Sequence, residues 1–213
     1  MEIENYQLTA LIGYLGFIYF SIKPVWYQLT ESKVQHLVFG SAVAISFLWW
    51  FRTGIYDGLE IHFLWLTSLT LILGWRWAML SSGIALGVVS ALGIIPWQDI
   101  GLLGFIGCSL PILFSYLVYL VAYHKLPKHF FVYIFVCAFF TGAATIALKM
   151  FLLSIFYQQA GIYDWATLLD NYLILIPLLL FPEALLNGMT MTLAVIYKPE
   201  WVATFFDKQY LDK

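Results

Sequence analysis

Four polar side chains lie inside long apolar stretches of this chain, and each belongs to a residue type that can bind or carry ions. They are His62, Lys149, Glu183 and Asn187. Polar groups inside a bilayer are costly, so they concentrate at binding sites, relays and buried pairs. Imidazole is a frequent ligand of zinc, copper, nickel and cobalt. A metal site that includes His62 is therefore one hypothesis, and a single histidine bonded to a backbone carbonyl is the alternative.

The three other polar residues are expected to face one another between two helices. Asn187 lies four residues after Glu183, so both share one face of a helix. Antiparallel packing would place Lys149 and Glu183 at depths that differ by less than about 8 Å, given the rise of an α-helix. This offset predicts a buried Lys149–Glu183 ion pair. A proton or cation relay through the same residues is the alternative.

The composition predicts that hydrocarbon surrounds most of the chain. Of the 213 residues, 62% are hydrophobic and 10% are charged, whereas a typical soluble domain carries roughly 25% charged residues. A chain of this length is too short to bury so many apolar helices in its own interior. The net charge of −2 gives no sign of a nucleic-acid surface. Cys108 and Cys137 lie in apolar runs, which predicts core packing rather than a disulfide.

Apolar runs predict a single transmembrane domain over residues 1–213, built as an all-α bundle of about seven spans. A membrane-crossing helix needs about 20 apolar residues. Proline lies at or after several of the run ends, as expected where a helix cannot continue. A tight hairpin is predicted at Trp75 and Arg76, between the third and fourth spans. The predicted spans cover residues 8–22, 37–51, 61–74, 77–95, 102–123, 130–157 and 173–196.

Lysine and arginine lie mainly on one side of the predicted bundle. Loops after the odd-numbered spans hold eight of the ten basic residues, loops after the even-numbered spans hold only Arg52, and Lys149 lies inside the sixth span. Basic residues are enriched in the cytoplasmic loops of membrane proteins. The asymmetry predicts an outer N-terminus and a cytoplasmic C-terminus, in the inner (plasma) membrane.

Acidic residues show the opposite bias and gather at the predicted outer face. Asp57 and Glu60 lie there close to His62, and an acidic mouth raises the local concentration of cations. Ordinary loop composition explains the same bias without any function. The remaining histidines fall on the predicted inner side: His36, His124 and His129.

Glycines recur at short spacing in two of the predicted spans. Gly83 and Gly87 lie in the fourth span, and Gly101, Gly104 and Gly107 lie at the start of the fifth. Small residues allow the backbones of membrane helices to approach closely. The spacing therefore predicts close helix packing at these positions rather than ligand binding.

Motifs typical of enzymes are missing from the sequence. It contains no phosphate-binding G-x-x-x-x-G-K-[ST], no H-E-x-x-H and no G-x-S-x-G. Glu183 could serve as an acid or base on a lipid-borne substrate, but no partner motif accompanies it. The sequence therefore predicts a protein that is not an enzyme.

Four segments spread along the chain carry a family pattern. They are GLEIHFLWLTSLTLILGW at 58–75, GLLGFIGCSLPILFSYLVY at 101–119, PKHFFVYIFV at 127–136 and PEALLNGMTMTLAVIYKPEWVATF at 182–205. They resemble the CbiM/NikM family, the substrate-capture membrane components of energy-coupling-factor ABC importers for cobalt and nickel. The last two segments resemble a proteobacterial branch of that family.

The resemblance implies a metal site formed by the N-terminus and the outer end of the third span. In the family the ligands come from the Met1 amine, the second residue and a histidine of the third span, and Met1 and His62 match that set. Glu2 stands where the family has a histidine, and Leu103 where much of it has an asparagine. A carboxylate at position 2 favours zinc or manganese over square-planar nickel. The implied cargo is a divalent transition metal (cobalt, nickel or zinc), bound as substrate and not as a catalytic cofactor.

Two functions are open on this evidence. The resemblance implies a permease component that captures metal and works with an ABC ATPase and a transmembrane coupling subunit. The departures at Glu2 and Leu103 favour an accessory or assembly membrane protein that keeps the fold without the full ligand set. Both hypotheses place the chain in a lipid bilayer, and neither involves a nucleic acid.

Overall fold

The computed structural model describes the backbone of residues 2–205 and the side chains of residues 7–205. Nearly all regular secondary structure in this part of the chain is helical, with one isolated β-bridge between Thr53 and Ile61. The prediction of an all-α transmembrane bundle is therefore confirmed. Among the described residues, four helices are long and apolar enough to cross a membrane: Gln7–Thr30, Trp97–Lys125, Phe130–Gln159 and Trp165–Tyr197.

The first half of the bundle is made of four α-helices. Helix α1 covers Glu2–Ile22 and continues as a 3₁₀ helix over Lys23–Thr30. Helix α2 covers Ser32–Trp50, α3 covers Leu66–Leu73 and α4 covers Trp75–Ala91. Helix α2 packs along α4, and α1 packs on α4 and on the start of the next long helix.

The second half consists of three long helices, each of which changes its helix type along its length. In two of them a π-helical segment joins two α-helical parts, and π segments occur frequently beside functional sites. The first long helix contains α5 (Ile100–Leu102), a π segment (Leu103–Ser109) and α6 (Leu110–Lys125). The second contains α7 (Phe130–Val132), a π segment (Tyr133–Phe140) and α8 (Thr141–Gln159). The third contains α9 (Trp165–Asn171) and α10 (Ile176–Tyr197), and short 3₁₀ turns cover Trp97–Asp99, Leu173–Leu175 and Pro199–Trp201.

The third predicted span differs from the sequence-based expectation. A helix was expected over residues 61–74, but residues 59–65 are not helical and α3 contains only eight residues. Eight helical residues cover about 12 Å, which is less than half of a hydrocarbon core. Trp65, the residue directly before α3, has a positive φ of 56°. The boundary to α4 is Gly74 (φ 77°), one residue before the predicted hairpin.

Helix α3 lies at the centre of the bundle. Seven of its eight residues are buried, and it contacts α4, α6, α8 and α10. Its Thr67 hydroxyl lies 2.9 Å from the Ser115 hydroxyl on α6 and 3.3 Å from the Thr145 hydroxyl on α8. A short, partly polar helix is thus enclosed on all sides by longer ones. Non-helical backbone at membrane depth is tolerated in such a place because protein, not lipid, surrounds it.

Helix α10 shows that the outer surface of the bundle is apolar and its interior is polar. Leu178, Phe181 and Leu185 are exposed on one face, while Glu183 and Asn187 are fully buried on the other. This distribution is the reverse of that in a water-soluble helix. It is expected where hydrocarbon is the solvent and polar side chains must find partners inside the protein.

Two of the predicted glycine positions bring the start of the fifth predicted span against α1. A Cβ atom at Gly101 would overlap the backbone of Leu11, and one at Gly104 would overlap the ring of Tyr14. At Gly83 a Cβ would lie 2.9 Å from the Ile18 side chain. Close packing is therefore confirmed at these three positions. Gly87 has open space around it, so the expectation of close packing was wrong there.

We predict that Gly101→Ala destabilises the protein, because the new methyl group would meet the Leu11 backbone and backbone atoms cannot move aside easily. Overpacking of this kind costs about 1–3 kcal/mol. Thermal unfolding in detergent measures the loss. Gly87→Ala is the matched control, since it makes the same change in a helix with no neighbour to displace. Equal midpoints for the two variants would contradict the predicted contact.

Candidate functional site

The carboxylate of Glu183 holds the N-terminal end of α3. Its Oε2 accepts the backbone N–H of Leu64 at 2.9 Å, and its Oε1 accepts the backbone N–H of Trp65 at 2.8 Å. These N–H groups lie at a helix start, where no carbonyl of the same helix can accept them. The partial positive charge of a helix N-terminus also favours a carboxylate there. Residues 59–65, the irregular segment before α3, cannot make these hydrogen bonds for themselves, and Glu183 supplies them.

Asn187 extends the same contact by one helical turn. Its Oδ1 accepts the Ser68 N–H at 2.8 Å, while its Nδ2 donates to Glu183 Oε1 at 2.8 Å. Its side chain fits because position 142 on the neighbouring helix is glycine: a Cβ there would lie 2.9 Å from Asn187 Nδ2. The predicted shared face of Glu183 and Asn187 is confirmed, and both residues bond α3.

The C-terminal end of α3 is held by the segment that follows α10. The Thr204 hydroxyl donates to the Leu71 carbonyl at 2.7 Å, and the Ala203 N–H donates to the Ile72 carbonyl at 2.9 Å. These carbonyls lie in the last turn of α3, where helical acceptors are left without a partner. Residues near positions 183 and 204 thus satisfy both ends of one short helix.

The expected ion pair between Lys149 and Glu183 was wrong. The Glu183 carboxylate is occupied by two backbone N–H groups and by Asn187, whereas Lys149 Nζ lies 2.9 Å from His62 Nε2. The ion pair was predicted from similar depths of the two residues, and the sequence pattern did not indicate that residues 64 and 65 leave the helical conformation. Once those N–H groups are unpaired, they are closer and more numerous partners for the carboxylate.

His62 lies in the irregular segment, between Lys149 and the aromatic ring of Trp49. Its Nδ1 lies 3.0 Å from the Phe63 carbonyl oxygen, and its ring centroid lies 5.5 Å from that of Trp49. Trp49 Nε1 also donates to the Leu64 carbonyl at 3.3 Å. The backbone-carbonyl contact predicted as the alternative for His62 is present. The Nε2 atom, which could bind a metal, faces the ammonium group of Lys149.

A small cavity lies beside His62 and is lined by several groups that can bind ions. The cavity has a volume of about 20 Å³, and roughly 10–15 Å³ suffices for one water molecule. The cavity therefore has room for one water-sized occupant. Its polar lining comes from Arg52, Glu60, His62, Cys108 and Lys149.

Only one of the two residues of the predicted acidic mouth reaches this cavity. Glu60 lines it and lies 3.9 Å from the Arg52 guanidinium. Burial lowers the pKa of Arg52, while the Glu60 carboxylate acts in the opposite direction. Asp57 lines a neighbouring cavity of about 280 Å³ together with Asp99. Gly58 lines both cavities, so the two acidic residues lie at the same end of the bundle.

The structure describes only part of the predicted ligand set. Met1 lies outside the described residues, and the Glu2 side chain also lies outside them. Within the described part of the chain, no group of three or more histidine, cysteine, aspartate or glutamate residues is arranged to hold a metal ion. His62 is therefore the one predicted ligand that can be placed, and the other predicted ligands stay predictions. Of the other histidines, His36 contacts Ser32 on its own helix and His129 accepts the N–H of Phe131 at the start of α7.

Sequence reasoning did not place Arg52 and Cys108 at this site. The sequence contained an indication for Arg52, because it is the one basic residue in a loop on the predicted outer side. It contained none for Cys108, because a cysteine in an apolar run is typical of core packing. Its position depends on the π segment that contains it, which the sequence pattern did not indicate.

These features are those of an all-α membrane protein with a polar interior and a small polar cavity near one end of the bundle. Within that class, the family described as "Cobalt uptake substrate-specific transmembrane region" (CbiM) matches residues 5–201 of the chain. This chain belongs to that family, which confirms the resemblance found in the sequence. It is a membrane-embedded substrate-capture component of a metal importer. The family comprises transporter components and not enzymes.

No curated protein and no solved structure matches the chain.

We predict that Glu183→Gln destabilises the protein, because one of the two carboxylate oxygens becomes an amide nitrogen, which donates and cannot accept the backbone N–H that this oxygen binds. Loss of a hydrogen bond to a charged group costs about 2 kcal/mol, which corresponds to about 4–8 °C in unfolding midpoint for a domain of this size. Thermal unfolding in detergent checks the shift. The control is Glu200→Gln, whose side chain is exposed. A midpoint equal to that of the control would contradict the structural role of Glu183.

Proposed function

We propose that this chain captures a divalent transition metal ion on the outer face of the inner membrane and passes it inward. Cobalt is the first candidate, with nickel and zinc as alternatives. The proposal is supported mainly by the position of His62, which lines a water-sized cavity near one end of the bundle. The chain's membership of the cobalt uptake family supports it as well. The metal is cargo and takes no part in a reaction at this site.

The proposed ligands are His62 and the N-terminal residues Met1 and Glu2. The course of α1 supports this set: Gln7 Nε2 donates to Asp99 Oδ1 at 3.2 Å and lines the cavity that shares Gly58 with the His62 cavity. The position of Gln7 therefore supports a contribution of the N-terminal residues to the proposed site. Asp57 and Glu60 would raise the local concentration of cations at this end.

We further propose how the chain is oriented in the membrane and which partners it has. Residues 1–213 would form a single domain with about seven membrane-crossing segments, an outer N-terminus and a cytoplasmic C-terminus. The bias of basic residues supports this orientation. An ABC ATPase and a transmembrane coupling subunit would act from the cytoplasmic side.

The proposed orientation predicts opposite labelling of two exposed positions. Ile55→Cys lies in the loop after α2, where the native side chain is 89% exposed, and should react with a membrane-impermeant maleimide in intact cells. Lys125→Cys, at the end of α6, should react only after permeabilisation. The native Cys108 and Cys137 are buried and provide the background. Labelling of both variants from the same side would contradict the orientation.

The metal-capture proposal predicts binding that depends on His62. In detergent, calorimetry with cobalt, nickel and zinc should give one site per chain. His62→Ala should weaken it by more than about 10–100-fold, since even outer-shell partners of metal ligands contribute that much. His36→Ala is the matched control, because His36 is exposed and its imidazole bonds Ser32 on its own helix. Identical titrations for the His62 and His36 variants would contradict the proposal.

An accessory or assembly role without metal capture is the second candidate. The observation that favours it is the ammonium group of Lys149, which occupies the His62 nitrogen that a metal would need. Glu2 and Leu103, the departures from the family pattern, point the same way. Affinity purification separates the two: an ABC ATPase and a coupling subunit support import, and a membrane enzyme without them supports the accessory role.

A further inference from the structure

We propose that Lys149 is a tethered competitor of the metal: its ammonium group occupies the coordination position of His62 and has to leave before an ion binds there. This inference rests on the proposed function, because it concerns the same histidine. It assigns to Lys149 the role of setting the affinity of the site.

The contact between Lys149 and His62 has a defined direction. A backbone carbonyl only accepts hydrogen bonds, so the Nδ1 atom that lies 3.0 Å from the Phe63 oxygen carries the proton. The Nε2 atom therefore presents a lone pair. An ammonium group only donates, and Lys149 Nζ lies 2.9 Å from that lone pair. The nitrogen atom through which His62 would bind a metal is thus already bound to a cation.

The ammonium group and a metal ion cannot share this position. A zinc ion bound to imidazole lies about 2.0–2.1 Å from the nitrogen. On the same lone pair it would stand only about 1 Å from the present position of Lys149 Nζ. The two positive charges would also repel each other at very short range. Binding therefore requires the lysine side chain to swing away.

The surroundings of Lys149 keep the ammonium in place and provide one alternative partner for it. Lys149 is 4% exposed. Its Cε lies close to Gly107, where an added Cβ atom would be 3.9 Å away. Glu60 lines the same cavity, and its contact with Arg52 is long, at 3.9 Å. The Glu60 carboxylate is thus available to receive the displaced ammonium. Arg52 adds a second positive charge, so the cavity lining has more cationic than anionic groups.

The test compares metal affinity in wild-type protein and in Lys149→Met, which keeps the length of the side chain and removes its charge. Cobalt and zinc are titrated by calorimetry into detergent-purified protein. We expect at least about tenfold tighter binding in Lys149→Met, because a positive charge next to the ion is lost. The double variant His62→Ala/Lys149→Met should lose that gain.

Two further variants control for charge and folding. Lys149→Arg keeps the charge and should not gain affinity, and Lys125→Met removes an exposed lysine at the other end of the bundle and should bind as wild type does. Lys149→Gln repeats the test should Lys149→Met fold poorly, which thermal unfolding reports.

The outcomes separate this inference from the proposed function. His62-dependent binding of equal strength in wild type and Lys149→Met would support metal capture and overturn the competitor role. Binding by Lys149→Met but not by wild type would support the competitor role and overturn metal capture by the native chain. A gain that survives His62→Ala, or no binding by any variant, would overturn the competitor role.

Discussion

The bundle depends on one constraint: the short helix α3 must have its ends satisfied inside the protein. Lipid offers no hydrogen bonds, so each unpaired backbone group at this depth would cost several kcal/mol. Glu183 and Asn187 accept the N–H groups at the N-terminal end, and Thr204 and Ala203 donate to carbonyls of the last turn. The C-terminal third of the chain therefore determines the position of a segment that lies more than a hundred residues earlier.

This constraint also positions the candidate site. Leu64 and Trp65 are fixed to Glu183, and His62 lies two residues before Leu64. Its ring is consequently held between Trp49 and Lys149, at the edge of a cavity with room for about one water-sized occupant. Glu183 takes no direct part in the site. It acts as the support that determines where the histidine can be.

The electrostatics of the cavity distinguish it from a ready-made cation site. Arg52 and Lys149 line it together with a single carboxylate, Glu60. A member of a cobalt uptake family with this lining has to bring in negative charge or move positive charge away when an ion enters. In the two proposals above, the carboxylate of Glu2 would bring in negative charge, and displacement of Lys149 from His62 would move positive charge away.

The fold class, the family and the shared face of Glu183 and Asn187 could be predicted from the sequence. These follow from hydrophobicity, helical periodicity and local residue patterns, which are properties of neighbouring residues. Three features depend on contacts between distant segments. Residues 59–65 are not helical, Glu183 bonds α3 and not Lys149, and Arg52 and Cys108 lie beside His62. The physical reason is that a buried polar group takes whichever partner lies closest in space, and for these residues that partner is distant in the chain.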